Sequence, residues 1–133
     1  MEHIEDKIFK GEDYTKKVFY SKVFHEVTFE NCLFIESHFG GATFSSCLFK
    51  NCNLSLVNFE GSQLQDVTFQ EGKVVGARFD QCQKRLFLIR AKETLFSSCN
   101  FLTYCCALKL LPVAFNKRSI FAFVCLLSIF FIQ

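Results

Sequence analysis

Eight cysteines and three histidines are the side chains of this 133-residue chain best suited to metal, redox or nucleophilic chemistry. Their spacing supports none of these. The legible signatures of a zinc site or a dithiol centre are a Cys-x-x-Cys pair and His at ligand spacing. No such pair occurs, and no His lies at ligand spacing from Cys32, Cys47, Cys52 or Cys82. Those four read instead as small buried hydrophobes, and the adjacent Cys105 and Cys106 as an accident of an apolar tail. His25 and His38 stand thirteen residues apart at outward positions, and His3 lies near the N-terminus. No Ser-His-Asp set, glycine-rich phosphate loop or paired-carboxylate pattern appears. The expectation is a protein without catalytic activity, cofactor or metal. Met1 is followed by Glu2, His3, Glu5, Asp6 and Lys7 and not by an apolar run, so no secretory signal is legible. A cytoplasmic setting with reduced thiols is expected.

The formal net charge of +2 specifies no partner, but its distribution is uneven. Residues 1–83 hold 12 acidic against 8 basic side chains, and residues 84–133 hold 1 against 7. A mildly acidic body is joined to a basic, apolar tail.

The elements that must position these residues are set by phenylalanine, of which there are 19, with no Trp. Every fifth residue from Phe19 is apolar: Phe19, Phe24, Phe29, Phe34, Phe39, Phe44, Phe49, Leu54, Phe59, Leu64, Phe69, Val74 and Phe79. In a chain that is half apolar, such a run arises by chance about once in ten thousand. Phe9 and Tyr14 extend the phase backwards, although Lys7, Glu12 and Lys17 occupy the accompanying position. A second stripe, two residues earlier, is small or medium and uncharged: Val27, Cys32, Ser37, Ala42, Cys47, Cys52, Val57, Ser62, Val67, Gly72, Ala77 and Cys82. The positions between carry the charges, among them Glu26, Glu30, Glu36, Lys50, Glu60, Asp66, Glu71, Lys73, Arg78 and Asp80. Five residues of α-helix rotate a stripe by about 140°, and a straight strand sends odd spacings to opposite faces. The chain must therefore turn once per five residues in a constant sense, which is a β-solenoid.

Quintets such as Cys32-Leu33-Phe34-Ile35-Glu36, Cys52-Asn53-Leu54-Ser55-Leu56 and Val57-Asn58-Phe59-Glu60-Gly61 resemble those of the pentapeptide-repeat family, with Phe where that family prefers Leu. The resemblance covers residues 19–83. It implies an all-β fold, a right-handed quadrilateral β-helix of four quintets per coil and about four coils, with an apolar and helical C-terminal tail as one outcome. Twenty residues per coil would place Glu30-Asn31-Cys32 beneath Lys50-Asn51-Cys52, about 4.8 Å away. Phe29, Phe49 and Phe69 would then stack on one face and Phe39, Phe59 and Phe79 on the opposite one. Cys32 and Cys52 would be close enough to bridge under oxidising conditions.

The organisation expected is an N-terminal cap over 1–18, the repeat body over 19–83, an irregular loop and partial repeat over 84–106, and an apolar tail over 107–133. The phase fails at Lys84 and resumes, shifted by two residues, at Phe96 and Phe101 with Thr94 and Cys99 before them. Lys84, Arg85, Arg90 and Lys92 make this break a candidate partner-binding loop. The 119–132 run is shorter than the roughly 20 apolar residues a spanning helix needs. It reads as a membrane-seeking tail, an associating segment that could dimerise the C-terminal end, a buried cap, or an unselected tail left by loss of frame in a truncated copy. The function expected is a rigid scaffold for an unknown protein partner. One alternative, implied by the resemblance, is a DNA mimic that binds a type II topoisomerase (DNA gyrase or topoisomerase IV), with fluoroquinolone resistance as its consequence. The body argues weakly for it, since residues 21–83 offer only 7 acids against 4 bases, while duplex DNA carries about one charge per 1.7 Å. Direct nucleic-acid binding is not expected. The other alternative is a membrane-associated protein, peripheral or tail-anchored through 119–133.

Overall fold

A computed structural model describes residues 2–83 and 85–99 and the backbone of 108–110. The chain winds into an all-β parallel solenoid of about five turns, one more than the repeat phase alone suggests. Each turn visits four faces. On the first face His3–Glu5, Val23–His25, Thr43–Ser45 and Gln63–Gln65 pair in that order. On the second, Ile8–Lys10, Thr28–Glu30, Leu48–Lys50, Val67–Gln70, Ile89–Lys92 and Leu108–Leu110 form a six-stranded sheet. The third face carries Asn53–Ser55, Lys73–Val75 and Leu95–Ser97, continued towards the N-terminus by bridges from Asn53 to Leu33 and Leu33 to Asp13. The fourth is held by bridges linking Val18, His38 and Asn58. The register advances by twenty residues per turn, as in Phe29 on Phe9 and Phe49 on Phe29.

The corners explain the five-residue period. Fourteen non-glycine residues have φ between 50° and 59°, and four glycines have φ between 65° and 70°. Each of them, Leu86 excepted, stands two residues after an inward central residue. One left-handed residue turns the chain without a longer loop and returns the next quintet to the same axis. Gly, Asn, Asp and Ser tolerate that conformation and fill many corners, as at Gly11, Asn31, Asn51 and Asp66. Leu56 occupies one at φ 58° although it is branched and exposed, and such a residue stores about 1 kcal/mol or more of strain.

The interior compensates with aromatic packing. Phe9, Phe29, Phe49 and Phe69 stack along the second face with centroids 5.4, 5.0 and 5.3 Å apart. Phe19, Phe39, Phe59 and Phe79 do so along the fourth at 5.0, 5.6 and 5.4 Å. Within a turn, rings on neighbouring faces meet edge to face, as Phe29 does with Phe34 at 5.1 Å and 88°. Both arrangements suit the ring quadrupole, so a four-sided tube can be filled almost entirely with phenylalanine. Glu30 and Asn31 lie under Lys50 and Asn51 as the twenty-residue coil requires, and Asn51 Nδ2 donates to Asn31 Oδ1 at 2.7 Å. The Glu30 carboxylate, however, reaches down to Lys10 Nζ at 4.0 Å.

Three segments differ from expectation. Residues 3–18 are a coil and not a cap, since His3–Glu5 and Ile8–Lys10 pair in full register with the next turn. The irregular stretch expected between Lys84 and Phe96 is also shorter than that spacing suggests. Phe79–Gln81 tightens into a 3₁₀ turn, and regular pairing resumes by Ile89, which opposes Val67, twenty-two residues away. Two extra residues are thus absorbed before Ile89, and the shifted phase starts at Ile89 and Ala91, earlier than Phe96. Ala91 sits above Phe69, and Phe96 turns its ring edge-on to Phe69 at 5.9 Å, filling the volume that a phenylalanine at 91 would take. The tail beyond 99 lies outside the described residues except for the backbone of Leu108–Leu110, which pairs with Ile89–Ala91.

Replacing Phe49 by Ala should lower the unfolding free energy by about 3–5 kcal/mol. The outward Glu36→Ala should cost under about 0.5 kcal/mol. Urea titrations read both, and equal effects would show the inward register to be wrong. Leu56→Asn should raise the unfolding free energy by about 0.5–1 kcal/mol, and with it the urea midpoint, because Asn relaxes at positive φ; a fall would contradict the strain assigned to that corner.

Candidate interaction surface

The reactive groups of the interior are consumed by the fold. Every central residue from Phe24 to Phe79 is buried, whereas Phe19 is only partly so. The small stripe is buried from Val27 to Cys82 with one exception, the half-buried Gly72, where a Cβ would meet the Cys52 carbonyl at 2.9 Å. The polar members of this stripe share one bond. Ser37 donates to the Tyr14 carbonyl at 2.7 Å, and Cys47 and Cys52 to those of Phe24 and Phe29 at 3.3 and 3.2 Å. Thr94 does the same to Phe69 at 2.9 Å. Each such side chain points inward and down, to the turn on its N-terminal side. No buried side-chain nitrogen or oxygen among the described residues lacks a hydrogen-bond partner.

Burial pushes the Cys52 and Cys82 thiols up from an ordinary 9.0 to about 12, and raises those of Cys32 and Cys47 as well. A thiol held protonated is a poor nucleophile and a poor metal ligand. Cys32 and Cys52 lie one turn apart and remain unbridged thiols. No cluster among the described residues could hold a metal ion.

What remains for function is the outside. Three positions of each quintet face solvent on flat walls whose rows repeat at strand spacing. Part of their charge is paired, between turns where Lys16 reaches Glu36 and Lys22 reaches Glu2 at 3.0 Å, and within a turn where Arg78 meets Asp80 at 2.7 Å. The first face is the most acidic, with Glu5, Asp6, Glu26 and Asp66 and no Lys or Arg within its four strands or at the residue that follows each.

The candidate basic loop is largely dissolved by the structure. Arg90 and Lys92 belong to the strand Ile89–Lys92, and Arg90 Nε donates to Asp66 Oδ1 at 2.8 Å. Arg85 and Leu86 are exposed on the short excursion, and Lys84 lies outside the described residues. The sequence missed this because a basic residue on the outer side of a strand and one on a loop look alike until the register is known. It also missed the exposed apolar side chains Ile8, Val18 and Tyr20 of the first turn, whose alternation with the inward stripe is a usable signal once residues 3–18 are recognised as a coil.

A parallel solenoid with a filled, hydrogen-bonded interior and a patterned outer wall is the architecture of a repeat protein. The profile of the family described as "Pentapeptide repeat region" matches residues 22–102, more than half of the chain, and the chain belongs to the pentapeptide repeat family. Among solved structures it is similar to HetL, a pentapeptide repeat protein involved in heterocyst differentiation regulation in the cyanobacterium Nostoc. The identity is 11% and the TM-score 0.56, over 77% of this chain and 40% of HetL. A trypsin-treated form of QnrB1, a plasmid-mediated fluoroquinolone resistance protein, is 21% identical with a TM-score of 0.44, over 76% of this chain and 50% of that one. A pentapeptide repeat protein of the Arabidopsis thaliana thylakoid lumen is 12% identical with a TM-score of 0.42, over 84% of this chain and 70% of that one. The match thus spans less than half of the length of HetL, and the likeness to HetL shows a shared fold. No curated protein matches the sequence.

The thiols should resist alkylation at pH 8 in the folded protein and react on unfolding. Between about pH 9 and 12 the folded state keeps protons that the unfolded state has released, so stability is full below pH 9 and falls as the pH rises. The urea midpoint at pH 11 should lie below that at pH 8; an unchanged midpoint would mean that the thiols are not buried.

Proposed function

We propose that this protein is a non-catalytic scaffold that presents one outer wall to a protein partner. One observation carries the reading: the inward thiols and hydroxyls already donate to carbonyls of the neighbouring turn, while outward side chains can vary without touching the core. A rigid surface of this kind loses little conformational entropy on binding.

Four variants test it, each with a photoreactive residue on one face, at Thr43, Leu48, Ser55 or Asn58. A scaffold gives a specific cross-linked species from one face, competed away by unmodified protein and lost when Phe49→Asp unfolds the rod. Equal labelling from all four faces, or none, overturns it.

The topoisomerase alternative is weaker on charge. Glu2, Glu30, Glu36, Asp66 and Asp80 each lie within 4.0 Å of a Lys or Arg, so the acidic pattern of a duplex is partly cancelled. The expectation is neither inhibition of supercoiling by gyrase nor protection from a fluoroquinolone at micromolar protein. Either effect would move the partner to a type II topoisomerase.

A further inference from the structure

The two directions along the rod are not equivalent, and the N-terminal end carries a surface of its own. From Val27 to Cys82 the position two residues before each central side chain is small and uncharged, and its Ser and Cys members donate to carbonyls of the preceding turn; Lys22, which opens the second turn, is the exception and reaches Glu2 at 3.0 Å. In the first turn no described turn lies below, and this position holds Glu2, Lys7, Glu12 and Lys17, all exposed. They mark the four corners in order, so the sign alternates around the rim. Inside the rim lie Ile4, Phe9, Tyr14 and Phe19, only partly buried, whereas their counterparts Phe24, Phe29, Phe34 and Phe39 in the next turn are buried. Ile8, Val18 and Tyr20 on the walls of the same turn are 65%, 50% and 60% exposed. The result is an apolar plate framed by four alternating charges.

We propose that this plate is an interface for a second copy of the chain, joined N-terminal end to N-terminal end. The argument is self-complementarity. A two-fold axis perpendicular to the rod and passing through the centres of opposite faces exchanges adjacent corners. One choice of faces sets Lys7 against Glu12 and Lys17 against Glu2; the other sets Lys7 against Glu2 and Lys17 against Glu12. Either choice matches every corner with its opposite charge, Glu2 keeping Lys22 of its own chain as a second partner, while the half-buried rings meet. The same operation brings the open edge of His3–Glu5 or Ile8–Lys10, each paired on one side among the described residues, against its own copy in antiparallel sense. An isologous contact of this kind closes at two copies and grows no filament, and it covers the strand edges that would otherwise recruit other chains.

The test uses the full chain in sedimentation equilibrium at low salt. The wild type should show a monomer–dimer equilibrium. The double variants Lys7→Glu/Lys17→Glu and Glu2→Lys/Glu12→Lys, each with a rim of one sign, should dimerise more weakly by at least about tenfold, and both should stay folded by circular dichroism, the second melting slightly lower because it loses the exposed Glu2–Lys22 pair. An equimolar mixture of the two should regain the dimer. Carbodiimide coupling of mixed ¹⁴N and ¹⁵N protein should yield interchain Lys7–Glu12 or Lys7–Glu2 links. A wild type that is monomeric at about 100 µM, association that both variants leave unchanged, or a mixture no better than its components overturns the proposal.

Discussion

A left-handed corner every fifth residue is the constraint from which the rest of this molecule follows. The residues at φ 50° to 70° bend the chain within a single peptide. A coil can then close in twenty residues, and equivalent side chains meet at strand spacing. Without that bend the same phenylalanines would wind around a helix or alternate across a strand, and no axis would exist for them to share. The strain held at corners such as Leu56 and Lys16 is local and modest. It is offset by rings that stack along the axis and meet edge to face around it, so that the corner and the core each make the other tenable.

The second organising feature is direction. Ser, Thr and Cys on the inner stripe donate to carbonyls of the neighbouring turn on one side only, which gives an otherwise repetitive rod a polarity. Among the described residues every buried side-chain nitrogen and oxygen is thereby partnered, and buried thiols with raised pKa values are inert fillers. Chemistry is displaced to the walls and ends. The walls are partly neutralised by ion pairs between turns, and the N-terminal end combines an incompletely covered aromatic layer with a charged rim. A scaffold reading and an end-to-end interface both rest on this division between a closed inside and a patterned outside.

The inward stripes were legible because five-residue spacing of a large apolar side chain fits no other backbone. The break after Cys82 was legible for the same reason, as a loss of phase. Other features were hidden by ambiguity of type. Lys7, Glu12 and Lys17 disguised the first coil, because a charge at a small inward position normally excludes burial; at the end of a solenoid that position is open. Ala91 concealed the resumption of the repeat, because its place in the core is completed by Phe96 from another face. Glu30 bonds to Lys10 and not to Lys50, because the reach of a side chain, and not only the register, selects a partner.

The sequence by itself determined the solenoid and the identity of the core, since those depend on periodicity, which is a property of order along the chain; the twenty-residue coil was implied by the family resemblance and is set by the register of the turns. Only the tertiary structure decided which outward residues become neighbours. It placed Arg90 beside Asp66 at 2.8 Å, moved Arg90 and Lys92 from an expected loop into a strand, and collected Glu2, Lys7, Glu12 and Lys17 around one apolar end. Contacts between turns join residues about twenty apart, and after Cys82 they depend on where two extra residues are absorbed. A one-dimensional pattern can announce such a shift, but the packing of Phe87, Ile89 and Ala91 against the turn below is what locates it.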